Sequence, residues 1–185
     1  MNTFFTRMRL FQSIFTFLVL FIAVVQSHAA DSAWKKYVNE RFGFSLEYPA
    51  TLVASPDPFD GSGREYHTPD SEFSVATAAH YLRIVDPNES LDSNWHDDLK
   101  DLKGLITYKK KGNSWYVISG VTTNGYVFYY KFFTQGNNWA TFHIIYPKSQ
   151  KPKYDPWVTR IEKHFVPFLK GKYYERSEWK GAAVK

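Results

Sequence analysis

The chain opens on an apolar stretch and then changes character. Across residues 10–25 only Gln12, Ser13 and Thr16 interrupt the run of apolar side chains. Arg7 and Arg9 precede it, and small residues at Ser27 and Ala29 follow it. A positive head, an apolar middle and a small-x-small exit predict a secretory signal peptide over 1–29, cleaved between Ala29 and Ala30. A retained membrane anchor is the competing reading. The polar exit argues against it, and the run only approaches the length a bilayer span needs. The expected destination is therefore the periplasm or the outside of the cell.

Past Ala30 the pattern turns to strands. Phe44, Leu46 and Tyr48 alternate with Ser45 and Glu47 until Pro49 stops the run, after a lead-in segment from Trp34. Residues 52–54 continue briefly in extended form. Ser55-Pro56-Asp57-Pro58-Phe59-Asp60-Gly61-Ser62-Gly63 is a loop by composition, because proline fixes φ and glycine permits sharp reversal. Residues 64–68 and 73–82 flank Pro69-Asp70-Ser71 as a hairpin. The period then becomes helical. Leu91, Trp95, Leu99 and Leu102 recur at spacings of four, four and three, with Ser90 as N-cap and Gly104 as the stop. That face leaves His96, Asp97, Asp98 and Asp101 mainly on the solvent side.

From Leu105 the alternation of strands returns and persists through 105–110, 114–122, 126–134 and 139–146. Lys111-Gly112-Asn113, Thr123-Asn124-Gly125 and Gln135-Gly136-Asn137-Asn138 join these runs, and Asn-Gly is a strong hairpin signal. The prediction is a four-stranded antiparallel meander. Phe128, Tyr130 and Phe132 on one face, and Val127, Tyr129 and Phe133 on the other, require cover on both sides. A last helix is predicted with Asp155 as N-cap and Pro156 at its first position. Val158, Ile161, Phe165 and Phe168 form its apolar face, and Pro167 ends it near residue 166. The sum is one α+β domain over 30–169, an antiparallel sheet packed between helices. A charged and aromatic tail follows over 170–185.

Composition sharpens this picture in two ways. Aromatic residues make up 19% of the chain and cysteine is absent, so packing rather than disulfides must stabilise the domain. The lipid-modified route of exported lipoproteins is closed for the same reason. The formal net charge of +5 is mild, and Lys109-Lys110-Lys111 and the lysines of 148–153 read as solvated turn residues. Nucleic acid is not an expected partner, and membrane contact is expected to be peripheral at most.

Candidate chemistry is sparse. The serines include no G-x-S-x-G elbow, since Ile118-Ser119-Gly120 lacks the first glycine. His67, His80, His96, His143 and His164 show no ligand spacing, and H-E-x-x-H is absent. Asp92, Asp97, Asp98 and Asp101 lack the glycine-bearing loop of hard-cation sites. Glu47, Glu65 and Asp70 are available as carboxylates, but nothing in the pattern makes them converge. Gly61-Ser62-Gly63-Arg64 lacks the ending of a phosphate loop. No catalytic, cofactor or metal site is predicted. Aromatics remain: Trp95, Trp115, Trp139 and Trp157 are mainly core candidates. Tyr126 and Trp139, at strand ends beside turns, are the residues best placed for a binding surface.

Several segments carry a resemblance. They are Trp34-Lys35-Lys36-Tyr37, Arg41-Phe42-Gly43-Phe44-Ser45-Leu46-Glu47-Tyr48-Pro49 and Gly63-Arg64-Glu65-Tyr66 near the start. Trp115-Tyr116-Val117-Ile118-Ser119-Gly120, Tyr129-Tyr130-Lys131, Tyr146-Pro147 and Tyr154-Asp155-Pro156-Trp157-Val158-Thr159-Arg160-Ile161 follow. Together they resemble small exported bacterial domains of the PsbP type, over most of 34–168. The resemblance implies an α/β/α sandwich shared with a Ran-binding nuclear import factor. It also implies action by binding a protein partner rather than by ordinary catalysis. The matching residues are framework, so no functional residue carries over. The expected function is a non-catalytic accessory or protein-binding domain of the cell envelope, working through a sandwich face or the 55–63 loop. A small-ligand or glycan binder using exposed aromatics is the alternative, and an unrecognised hydrolase comes third.

Overall fold

The computed structural model of the chain describes residues 33–83, 86–103 and 105–170. The signal segment, Gly104 and the tail beyond Lys170 lie outside the described residues. Two strands, β1 (Trp34–Asn39) and β2 (Phe44–Pro49), form an antiparallel pair of their own, with Trp34 opposite Pro49 and Asn39 opposite Phe44. The lead-in segment is thus itself a strand. Trp-Lys-Lys-Tyr-Val-Asn has no period of two, and its conformation comes from its partner. The Asn39 side chain accepts from Phe42 N at 2.9 Å, and Gly43 turns the chain with φ 67°.

The main sheet has seven strands: β3 (Val53–Ala54), β4 (Gly63–His67), β5 (Ser74–Tyr81), β6 (Ile106–Lys111), β7 (Trp115–Val121), β8 (Tyr126–Gln135) and β9 (Asn138–Pro147). Their spatial order is β3-β4-β5-β9-β8-β7-β6, and every neighbouring pair is antiparallel. The expected hairpin and meander are both present, and β9 joins them by pairing with β5. Gly125 and Gly136 take positive φ in the last two turns, where the hairpin twist requires it.

Each sheet face has its own cover. On one face lie the β1–β2 pair and the helix α2 (Lys151–His164). Phe44, Leu46, Phe73, Phe142, Ile144, Tyr154 and Ile161 are fully buried there. Phe165 closes this core, its ring 4.9 Å from Phe142 and 5.6 Å from Phe133. The opposite face is covered in part by α1 (Leu91–Asp101), which begins at Ser90 with a capping box to Ser93. Leu91, Trp95, Leu99 and Leu102 pack on Tyr116, Ile118, Phe128 and Phe132. No residue of α1 is fully buried, so this helix stands on the tips of large side chains. Among the described residues no helix is long and apolar enough to cross a membrane.

Two helix expectations need correction. The last helix starts at Lys151, after a short 3₁₀ turn over Lys148–Gln150, with a proline in its first positions. Asp155 is therefore inside the helix rather than its cap, and its carboxylate accepts from Tyr146 Oη at 2.6 Å and Lys151 Nζ at 3.1 Å. Pro156 is inside as well, costing a single i−4 bond in a turn that already begins with proline. The second correction concerns Asp98, which faces the sheet: the buried Tyr116 hydroxyl donates to its carboxylate. His96, Asp97 and Asp101 are exposed as expected.

Candidate functional site

Strand register builds a chemically mixed surface on the face that α1 covers. Glu65, Ala76, His143, Tyr130 and Ile118 form one row across β4, β5, β9, β8 and β7. The next row is Gly63, Ala78, Thr141, Phe132 and Tyr116, and beyond it His80 lies beside Trp139. α1 sits over the β7–β8 end of these rows. Over β4, β5 and β9 no described helix covers this face: Glu65 and His143 are exposed, Ser74, Ala76 and Ala78 are half-exposed, and Gly63 and Thr141 are buried. Small side chains make a shallow floor here. Gly63 is part of it because β4 and β5 approach too closely for a side chain, a Cβ there falling 1.8 Å from the Thr77 carbonyl oxygen.

A polar chain runs from beneath α1 onto this floor. Burial pushes the Asp98 carboxyl up, against the lowering effect of the Tyr116 hydrogen bond. The Tyr116 phenol is driven up by burial, with Tyr130 and Asp98 adding to it. Burial likewise pushes Tyr130 up to about 12, with the Asp98 charge next in effect, and its ring lies 6.0 Å from that of Tyr116. The Tyr130 ring meets His143 edge-on at 6.3 Å. His143 has a solvent-exposed edge, yet its surroundings are dense enough to lower its imidazole, which the Glu65 charge partly offsets. The His143 imidazole, held low by burial, and the half-buried Tyr130 phenol lie in one row with Glu65. Such groups can donate to and accept from a polar ligand.

The two aromatic candidates take separate places. Trp139 is half-buried in a row of rings, 6.2 Å from His80 and 5.5 Å from Phe132. Tyr126 is half-buried on the same face, opposite Pro147 at the other end of β9. Eight residue steps along β9, from Trp139 to Pro147, separate the two positions, roughly 26 Å at about 3.3 Å per step. The sheet does not bring them into one patch. Among the histidines, His67 contacts its neighbour's carbonyl, while His96 and His164 contact carbonyls one helical turn back. Among the described residues no three His, Asp or Glu side chains are grouped to hold a metal ion. Glu47 stands 3.7 Å from Arg160 on the other side of the sheet from Glu65, and Asp70 caps the turn at Glu72.

The 55–63 loop holds the most exposed large apolar side chain of the described residues. Phe59 is 109% exposed, against 52% for Tyr108 and 48% for Val53. Its loop is braced on both flanks. Asp57 pairs with Arg64 at 2.7 Å, the Asn39 side chain donates to the Gly61 carbonyl at 2.9 Å, and the Arg41 guanidinium donates to the Asp60 carbonyl. Ser62 N donates to the Asp60 carboxylate at 3.0 Å, which holds that carboxyl below its usual range. Gly61 supplies the left-handed turn, with φ 60°. Phe59 had a sequence signal, being the lone large apolar residue in a Pro, Asp and Gly loop.

Comparison with solved structures identifies the architecture. The solution structure of cyanobacterial PsbP (CyanoP) from Synechocystis sp. PCC 6803 superposes with a TM-score of 0.52. The match covers 77% of this chain and 96% of that one, at 10% identity. The chain has a PsbP-like fold. A crystal structure from Bacteroides thetaiotaomicron VPI-5482 is similar as well, with a TM-score of 0.50 and 16% identity over 76% of this chain. There the match spans 50% of the other chain. No protein-family model matches the sequence, and no curated protein is significantly similar to it. At these identities the likeness shows the PsbP-like fold alone.

Proposed function

We propose that this PsbP-like chain is an exported, non-catalytic accessory domain that docks on an envelope protein through its 55–63 loop. The observation that carries this reading is Phe59, wholly exposed at the tip of a loop whose roots are tied down. Aromatic anchors contribute disproportionately to protein interfaces, and a braced loop loses less entropy on docking. The signal-like leader and the resemblance to partner-binding domains support the compartment and the mode of action. Chemical cross-linking in intact cells, followed by recovery of the chain, tests it. One envelope protein should be recovered with the native chain and lost with Phe59→Ala, while the melting temperature stays the same. Equal recovery with both chains sinks the proposal.

A second reading has its own observation: the open floor of Ala76 and Ala78 beside Glu65, His143 and Trp139. It makes this face a site for a small polar ligand such as a cell-wall saccharide. Cell-wall fragments and simple sugars should then change tryptophan fluorescence in the native chain and not in Trp139→Phe. A flat response across the panel removes this reading.

A further inference from the structure

The main sheet ends on two unlike edges. One edge is β3, two residues long. The other is β6, the terminal strand, six residues long with five of them exposed. Its sequence is Ile-Thr-Tyr-Lys-Lys-Lys, so the edge is both long and positively charged. Asp92 of α1 pairs with Lys111. Lys109 and Lys110 have no acidic partner among the described residues. Tyr108 adds an aromatic ring that is 52% exposed.

The hydrogen-bond pattern fixes which backbone groups point outward. Gly112 N donates to the Trp115 carbonyl at 2.8 Å, making 112 and 115 a hydrogen-bonded pair. Alternation in an antiparallel ladder then makes Lys111–Tyr116 and Lys109–Ile118 the pairs without mutual hydrogen bonds. The N–H and C=O groups of Lys109 and Lys111 therefore face away from β7 and into solvent. Lysines on an edge repel most strands, a common guard against aggregation. The same charges admit a strand of opposite sign, so a guard against apolar edges is also a selector.

We infer that β6 accepts an extended acidic segment of a partner protein as an added strand. Its backbone pairs with the outward groups of Lys109 and Lys111. Its carboxylates meet Lys109 and Lys111 on the α1 face, and its alternate residues lie along Tyr108 and the Lys110 stem. This surface is separate from the 55–63 loop, and neither proposal depends on the other.

The probe is a fluorescent, end-blocked peptide of alternating glutamate and valine, added to the full protein and followed by anisotropy. Binding should slow amide exchange selectively at Lys109 and Lys111. It should weaken on the order of tenfold in the Lys109→Glu/Lys110→Glu variant and weaken further with salt. N-methylating alternate peptide residues should abolish it. The inference fails if the peptide does not bind, or if the N-methylated or lysine-valine peptide binds equally well. It fails also if exchange at Lys109 and Lys111 in the native protein is unchanged, a readout that does not depend on whether the variant folds.

Discussion

Asp98 is held between α1 and the sheet by the hydroxyl of a fully buried tyrosine, and its position has a consequence for pH. Its folded pKa is raised, chiefly by burial, so ionisation in the folded state costs more than in the unfolded chain. That cost is absent below the ordinary carboxylate range and appears as the pH rises through it. Asp98→Asn keeps an acceptor for Tyr116 while removing the charge. Thermal melts should show the variant stabilised at pH 7 and near neutral at pH 3; a loss of stability at pH 7 contradicts this account. Phe59 is the opposite case, since it touches solvent on every side. Phe59→Ala should leave unfolding unchanged within about 0.5 kcal/mol, as is usual for exposed positions. A larger loss in chemical denaturation means that Phe59 packs within the domain. The sequence marked Phe59 as the lone large apolar residue of its loop, but it left no mark of the role of Asp98. Helical periodicity placed Asp98 outside because it counts apolar positions, and a tyrosine reaching across from β7 leaves no trace in that pattern.

At the scale of elements, the strands of the meander were legible because alternation and Asn-Gly turns agree along the chain. β1 was not, since it takes its conformation from Phe44–Pro49. The start of α2 was misplaced for a different reason. Asp155-Pro156 has the chemistry of a helix start, but Lys151-Pro152 offers an earlier one, and the Tyr146 hydroxyl claims the Asp155 carboxylate. The helix ends at His164, short of the expected 166, so Phe165 is its extended cap and Phe168 lies beyond it. Pro167 forces Val166 to be extended, and Val166 bridges to Ser45 through bonds of 2.9 and 3.0 Å. Phe165 sits at that junction, touching Phe44, Phe133 and Phe142. Phe165→Ala should cost ~3–5 kcal/mol in equilibrium unfolding, the usual range for emptying an aromatic core site. A cost below about 1 kcal/mol shows that the α2 layer closes over the gap.

For the whole molecule, the arrangement of surfaces depends on one pairing that no local pattern announces, β5 against β9. It sets Glu65 and His143 in one row, opens the floor between them, and leaves β3 and β6 as the two edges. Candidate residues chosen from strand ends, Tyr126 and Trp139, share a face and lie far apart along it. The 55–63 loop leads into β4 beside the β3 edge, and the basic strand β6 forms the other edge, so the two proposed docking surfaces are separate. The most direct test places a photoreactive phenylalanine analogue at position 59 in intact cells, with the exposed Asn88 as the control position. Position 59 should give a single protein adduct and position 88 none. No adduct from position 59, or the same adducts from both, would contradict docking through the 55–63 loop.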